Sequence, residues 1–323
     1  MILHTMFRFF LAYGLLLAAA LSLSTTTAVV EAKTAVLFGA TGAVGNEVLR
    51  SIVRNPFFTK VILVGRRFPP KVMDLLSPQS SSSQLPEVVK VQLPDLNDID
   101  KNEELLAMEA DACFIAVASG FPHLSDLHDL YSVEVDMAAS MTRLCSQMHV
   151  QSVTVFSAID PGKNPEPFTE EELVKKDDAT PLGWWNMLKH IVRIMGLKEN
   201  AVTSNSKTIP FVRIFQPSNI ITEEIRYGWL DWTIFQIHPL LDPWIPTRYH
   251  SVNVTLLGMA MVGDAVRVLS GTTTSTSDDD MTARDEDGAT RLTYGDFLRV
   301  AETDFKKYEQ EQSIISEEQS SEL

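Results

Sequence analysis

Apolar runs separated by polar stretches set the rhythm of this chain. Val61–Val64, Val88–Gln92, Ala112–Val117, Ser152–Phe156 and Phe211–Phe215 are short and rich in β-branched and aromatic residues, and a further run starts at about Thr34. Mostly continuous apolar runs of this length read as parallel strands buried on both faces. Between and after them, apolar positions recur at helical spacing over Val44–Arg54, Leu127–Met148, Trp184–Lys198 and Val252–Leu269. Strand–helix alternation of this kind implies an α/β fold, a doubly wound parallel sheet of the Rossmann type. The Ser-rich stretch Ser77–Ser83 and the stretch Gly271–Asp280 read as solvated loops, and the acidic tail Glu309–Leu323 reads as frayed. No internal repeat is present. The expected organisation is a targeting or anchoring segment at 1–32, a nucleotide-binding domain at 33–270 with a small substrate-side segment at 220–262, and a polar loop, helix and acidic tail at 271–323.

The first strand runs straight into Gly39-Ala-Thr-Gly-Ala-Val-Gly45 and then into a helix. One glycine permits the sharp turn, one lets the backbone approach a pyrophosphate, and one lets the helix pack close to the strand. The free N–H groups at the helix start then face phosphate. Gly39, Thr41, Gly42, Val44 and Gly45 are accordingly the expected backbone cradle for a nicotinamide dinucleotide. The second strand ends in Gly65-Arg66-Arg67. An NAD site would carry an acidic residue about 20 positions after the turn to bind the ribose hydroxyls, and none stands there. Arg66 and Arg67 do, and guanidinium suits a 2′-phosphate, so NADP(H) is expected over NAD(H). Asp95, after the third strand, is placed to accept from the adenine amino group, although Asp is also an ordinary turn residue.

Composition narrows the class. The chain has 323 residues, 45% hydrophobic, enough for one sizeable core. A net charge of −15 argues against nucleic acid as a partner. Cys113 and Cys145 are too few for a disulfide framework and read as core residues rather than a redox pair, and the seven histidines show no metal-ligand spacing with them. At the N-terminus, Arg8 precedes the uncharged run Phe9–Leu23, followed by small residues suited to cleavage near Ala28 or Ala32. This reads as a secretory signal, with an uncleaved anchor and membrane association as the alternative, or an organelle membrane as the destination. The aromatics of Trp229–Phe235 and Pro239–Trp244 read as lining a substrate pocket, as lying at a membrane surface, or as a lid segment packed on the sheet, the lid being favoured over membrane contact. Asn253-Val-Thr255 is a glycosylation sequon that matters only in a lumen.

Taken in order, Gly39–Gly45, Val64-Gly-Arg-Arg67, Val133-Glu-Val-Asp136, Phe156-Ser157, Phe215-Gln-Pro-Ser218 and Arg248-Tyr-His-Ser-Val252 resemble the atypical short-chain dehydrogenases. The likeness is to the Tat-interacting-protein type of NADPH-binding oxidoreductase, and it runs from about Thr34 to Val262. The resemblance implies that Gly39, Gly42, Val44 and Arg66 contact NADP(H). It implies too that Ala118 and Ser119 line the ribose and that Pro217 and Ser218 lie near the nicotinamide.

That family reduces carbonyls with a Ser after the fifth strand and a Tyr-x-x-x-Lys on the next helix, a spacing that puts Tyr and Lys on one face. The Lys holds the ribose and lowers the Tyr pKa, and the phenol protonates the carbonyl oxygen as hydride arrives. Here Ser157 ends the fifth strand and Lys189 sits on the helix, but Trp185 stands four residues before Lys189, and no Tyr occurs between Tyr131 and Tyr227. An indole N–H donates a hydrogen bond without giving up its proton near neutral pH. Ala158 follows Ser157 where relatives often carry a second Ser. His190, Lys189 itself or a water are the conceivable substitute acids. His190 points about 100° away from Lys189 on the helix and reads better as a helix-face histidine. Lys189 is then a ribose contact or a solvated lysine, and Ser157 a substrate contact or a strand-end hydroxyl. Two functions follow: an NADP(H)-binding protein that is catalytically silent, or an active NADPH-dependent oxidoreductase on a small carbonyl substrate.

Overall fold

The computed structural model describes residues 32–68, 85–119, 125–173, 183–222, 237–271 and 283–301, except for the side chains at 184, 185, 187 and 188. The N-terminal apolar segment, the Ser-rich loop, Trp229–Phe235, most of the 271–280 stretch and the acidic tail lie outside these residues. Among the described residues, no helix is long and apolar enough to cross a membrane.

Seven strands form one parallel sheet: β1 (Lys33–Phe38), β2 (Phe58–Gly65), β3 (Glu87–Gln92), β4 (Ala112–Ile115), β5 (Ser152–Phe156), β6 (Phe211–Phe215) and β9 (Ala289–Leu292). Their order is β3-β2-β1-β4-β5-β6-β9. Two two-residue strands, β7 (Ile220–Ile221) and β8 (Val252–Asn253), pair separately and bracket the segment between them. The principal helices are α1 (Ala43–Arg54), α2, α3 (Gly183–Asn205), α4 (Val254–Leu269) and α5 (Tyr294–Arg299). Of these, α2 begins as Leu127–Tyr131, passes through a π-helical turn at Ser132–Asp136 and continues as Met137–Gln147. The Rossmann-type fold read from the sequence is therefore the fold observed. β9 is a strand that the periodicity did not reveal, and α3 continues past Lys198 to Asn205.

Side-chain alternation explains why the strands are apolar on both faces. Ala35 and Leu37 of β1 join α1, α4 and α5 in one core, while Val36 and Phe38 join α2 in a second on the opposite face. Each fully buried side chain of this size contributes about 1.5–3 kcal/mol. On β6 the same alternation turns Arg213 toward α4, where it makes a buried two-pronged pair with Asp264 at 2.6 and 2.7 Å. On β4 it turns Cys113 toward α2. There it meets Cys145, and the two sulfurs are bonded, with Cα atoms 6.3 Å apart. Both cysteines lie in the core as expected, but as a pair, which corrects the reading of them as two separate residues.

The strand order reverses direction between β1 and β4, both of which pair with parallel neighbours. At such a switch point the connections leave β1 and β4 for opposite faces, opening a crevice at the carboxyl ends of the strands.

Candidate functional site

The crevice begins with the glycine turn. Gly39 has φ +86°, and a Cβ there would stand 2.6 Å from the Ala116 carbonyl oxygen after β4. Only glycine fits both constraints. A Cβ on Gly45 would lie 2.0 Å from the Gly39 carbonyl oxygen, so this glycine lets α1 pack against the turn. The Gly42 N–H closes the turn on Gly39 O at 2.9 Å, and no side chain caps α1. The first N–H groups of a twelve-residue helix are thereby directed at the crevice without a protein partner of their own helix.

A cleft of about 130 Å³ collects Gly39, Thr41, Gly42, Arg66, Arg67 and Ala118. Six of the residues expected at the cofactor thus come together from β1, β2 and β4. Its wall is completed by apolar and backbone surface, including Phe68, Leu96 and Val117, with no carboxylate among the described residues. Arg66 and Arg67 are exposed, and among the described residues neither is in an ion pair. Uncapped helix N–H groups, a glycine that admits close approach and two free guanidinium groups form a donor set suited to a phosphorylated adenine nucleotide.

Other expected residues are placed differently. Val44 is buried in the core under α1, and Gly45 lies beneath the turn. The Asp95 carboxylate accepts from the backbone and side chain of Asn97 at 3.0 and 3.2 Å, and these bonds hold its pKa below the usual carboxylate value. It is Leu96 that faces the cleft. Ser119 is turned away, its N–H donating to Glu134 Oε1 at 2.7 Å and its hydroxyl paired with Ser125. The carbonyl of Pro217 accepts from the Ile159 N–H, extending the β5–β6 ladder past the strand ends. Ser157 is 4% exposed, its N–H donates to Phe215 O at 2.7 Å, and its hydroxyl has no partner among the described residues.

The lysine differs most from expectation. Lys189 is exposed on α3, and among the described residues no partner engages its ammonium. Trp185 is in the helix, its side chain outside the described set. The lysine that α3 carries to the ends of β4 and β5 is Lys198, nine residues on and roughly 13 Å along the helix axis. Lys198 is 1% exposed, bonds Glu134 Oε2 at 2.9 Å and stands 4.9 Å from the centre of the Phe156 ring. Glu134 sits in the π-helical turn of α2 and joins the loop after β4, through Ser119, to this lysine. Four residues before Lys198 is Ile194, fully buried among Leu130, Phe168 and Leu197. In either register the phenol is missing. The signal that could have found Lys198 is a charged pair, Lys198-Glu199, on the stretch of helix immediately preceding β6.

Beyond β5 the chain is held by ions. Arg248 and Tyr249 both bond Asp160. That hydrogen bond to a carboxylate, with burial second, pushes the Tyr249 pKa above its ordinary value, which makes it a weaker acid. His238, Asn219 and Asp242 converge on Ser251. The Arg248–Val252 motif therefore ties the 237–252 stretch to the chain just beyond β5 and β6. A larger cleft of about 720 Å³ lies alongside, lined by Asp160, Lys163, Glu199, Gln216, Arg248 and Arg291 among others. His190, on α3, packs 5.7 Å from the Phe168 ring, and burial followed by the Arg193 cation lowers its pKa.

Among solved structures, the chain is similar to the terminal R domain from the myxalamid PKS-NRPS biosynthetic pathway. Identity is 15% over 86% of this chain and 78% of that one, with a TM-score of 0.50. It is also similar to UDP-N-acetylglucosamine 4-epimerase from Methanobrevibacter ruminantium M1, at 13% identity over 81% and 76% with a TM-score of 0.49. A 3-oxoacyl (acyl-carrier-protein) reductase from Agrobacterium tumefaciens C58, solved with NADP bound, is 12% identical over 73% and 86% with a TM-score of 0.48. At these identities the likeness is one of fold, and the first comparison carries it. No family model and no curated protein matches the chain.

Proposed function

We propose that this chain is an NADP(H)-binding protein of the short-chain dehydrogenase type that binds its coenzyme without reducing carbonyls. The observation that supports coenzyme binding is the cleft at the ends of β1 and β2, where Arg66 and Arg67 stand exposed beside the glycine turn and, among the described residues, no acidic side chain lines the wall. The backbone of Gly39–Gly42 and the start of α1 would hold the pyrophosphate, and the two guanidinium groups would hold the 2′-phosphate. When bound, the nicotinamide supplies a hydride for an acceptor carbonyl. The protein's share of such a reaction is a proton, and here the residues withhold it. Ile194 has none to give, Lys198 is tied to Glu134, and Tyr249 is tied to Asp160.

A specific observation favours the other reading, an active NADPH-dependent oxidoreductase. The Ser157 hydroxyl is buried beyond the end of β5 with no partner among the described residues, as a substrate-fixing hydroxyl would be. If turnover occurs, the ion-lined 720 Å³ cleft would favour a polar carbonyl compound.

The experiment is a thermal-shift comparison of NADPH, NADH and no ligand, followed by an NADPH-consumption assay over a carbonyl panel. NADPH is expected to raise the melting temperature more than NADH, since a ligand at 100 times its Kd stabilises by about 2.7 kcal/mol. Replacing Arg66 and Arg67 together by Ala should abolish the preference, a loss of roughly ten- to a hundredfold in NADPH affinity at about 1.5–3 kcal/mol for charge-assisted hydrogen bonds. Equal response to both coenzymes would end the case for NADP(H), and consumption of NADPH with any carbonyl would end the case for silence.

A further inference from the structure

We propose that Asn253 is an N-glycan acceptor and that the protein carries one asparagine-linked oligosaccharide, placing its folded body in an oxidising lumen. The sequence contains a single Asn-X-Ser/Thr in which X is not Pro, Asn253-Val-Thr255. A sequon is used only where the folded protein tolerates a bulky substituent, and here it does: Asn253 is exposed at the junction of β8 and α4. Its place at the helix N-cap is also compatible with the modification. The side-chain oxygen Oδ1 accepts the Thr255 N–H at 2.8 Å and so caps α4. The glycan would attach to the other atom, Nδ2, for which no partner is present among the described residues. Capping and glycosylation can therefore coexist on one side chain.

In the transfer, Nδ2 displaces diphosphate from the anomeric carbon of a lipid-diphosphate-linked oligosaccharide. A C–N bond forms, the C–O bond to diphosphate breaks, the amide proton passes to a base of the transferase, and lipid diphosphate departs. Two observations independent of the sequon point to the same compartment. Cys113 and Cys145 are joined in the core, and disulfides persist in oxidising compartments and are rare in reducing ones. The sequence before Lys33 has the basic start, uncharged run and small-residue end of a secretory signal. This inference does not rest on dinucleotide binding, and neither reading falls with the other.

The test is expression of the full chain, with its own N-terminal segment, in a eukaryotic cell, followed by peptide N-glycosidase digestion and peptide mass spectrometry. The expected result is a downward mobility shift by one glycan, with the deamidation mark at position 253. Thr255→Ala should remove the shift, because it deletes the sequon hydroxyl while leaving the Asn253 cap and giving up only a 3.3 Å contact to Glu47. Thr255→Ser should restore it, which separates loss of the sequon from loss of folding. No shift in the wild-type chain, or a shift that survives Thr255→Ala, overturns the assignment.

Discussion

Two lysines on one helix show how much a single side chain's surroundings decide. Lys189 is solvated, and surface changes away from special features stay within about 0.5 kcal/mol, so Lys189→Ala should leave both the urea midpoint and coenzyme affinity unchanged. Lys198 is fully buried against Glu134. Removing one partner of a buried pair strands the other charge, at a cost of about 3–5 kcal/mol. Lys198→Met is therefore expected to be severely destabilising, and adding Glu134→Gln should recover part of the loss, a coupling that a double-mutant cycle measures. Additive effects of the two changes would show that the pair does not act as a unit. The sequence offered both lysines, and Tyr-x-x-x-Lys spacing counted from Trp185 selects the exposed Lys189, whereas the lysine buried near the end of β5 is Lys198. Spacing along a helix says which residues share a face, but not which turn of the helix stands at the end of the sheet. That depends on how long the loop after β5 is before α3 begins.

At the scale of elements, β1, β4, β5 and β6 were legible because each is a short, mostly apolar run buried on both faces, and the edge strand β3 because its valines interrupt an otherwise polar, largely exposed stretch. Gly39–Gly45 was legible because its geometry admits few other residues. β9 was not. Ala289-Thr-Arg-Leu292 is four residues long and half polar, and Arg291 belongs there through its partners, Glu199 on α3 and Asp285 and Asp287 just ahead of the strand. Those contacts are tertiary and leave no periodic trace. The helix α3 also carries a titration. His190 faces Phe168, with Arg193 and Lys189 on its own helix and Glu172 across from it. Burial first, and then the Arg193 cation, lower its pKa in the fold below the ordinary 6.5. Between the folded and unfolded values the unfolded chain binds more protons, so stability is fully present above about pH 6.5 and declines as pH falls through that window. Urea midpoints measured from pH 7.5 to pH 5 should fall, and His190→Gln should flatten that limb. A wild-type profile that rises toward pH 5 in this range, or one that His190→Gln leaves unaltered, contradicts the assignment.

For the molecule as a whole, the sheet separates two cores, and the Cys113–Cys145 bond lies wholly within one of them. It fastens α2 to β4, the strand at the switch point, and so braces the floor of the crevice from the face opposite α1. Because the two cysteines are 32 positions apart, the bond restricts a long loop in the unfolded chain, which corresponds to about 3–4 kcal/mol of stabilisation on the chain-entropy account. Thiol titration of the purified protein in denaturant should find no free thiol before reduction and two after it. Equilibrium urea unfolding in the presence of a strong reductant should show a lower midpoint and a larger m-value, since the unbridged unfolded state exposes more surface. Replacing both cysteines by Ala should give the same lowered midpoint whether or not reductant is present, apart from the loss of sulfur packing in the core. Two free thiols in the untreated protein, with a midpoint indifferent to reductant, would mean that the bond does not form. The apolar packing of β4 on α2 would then be left to hold the floor of the crevice alone.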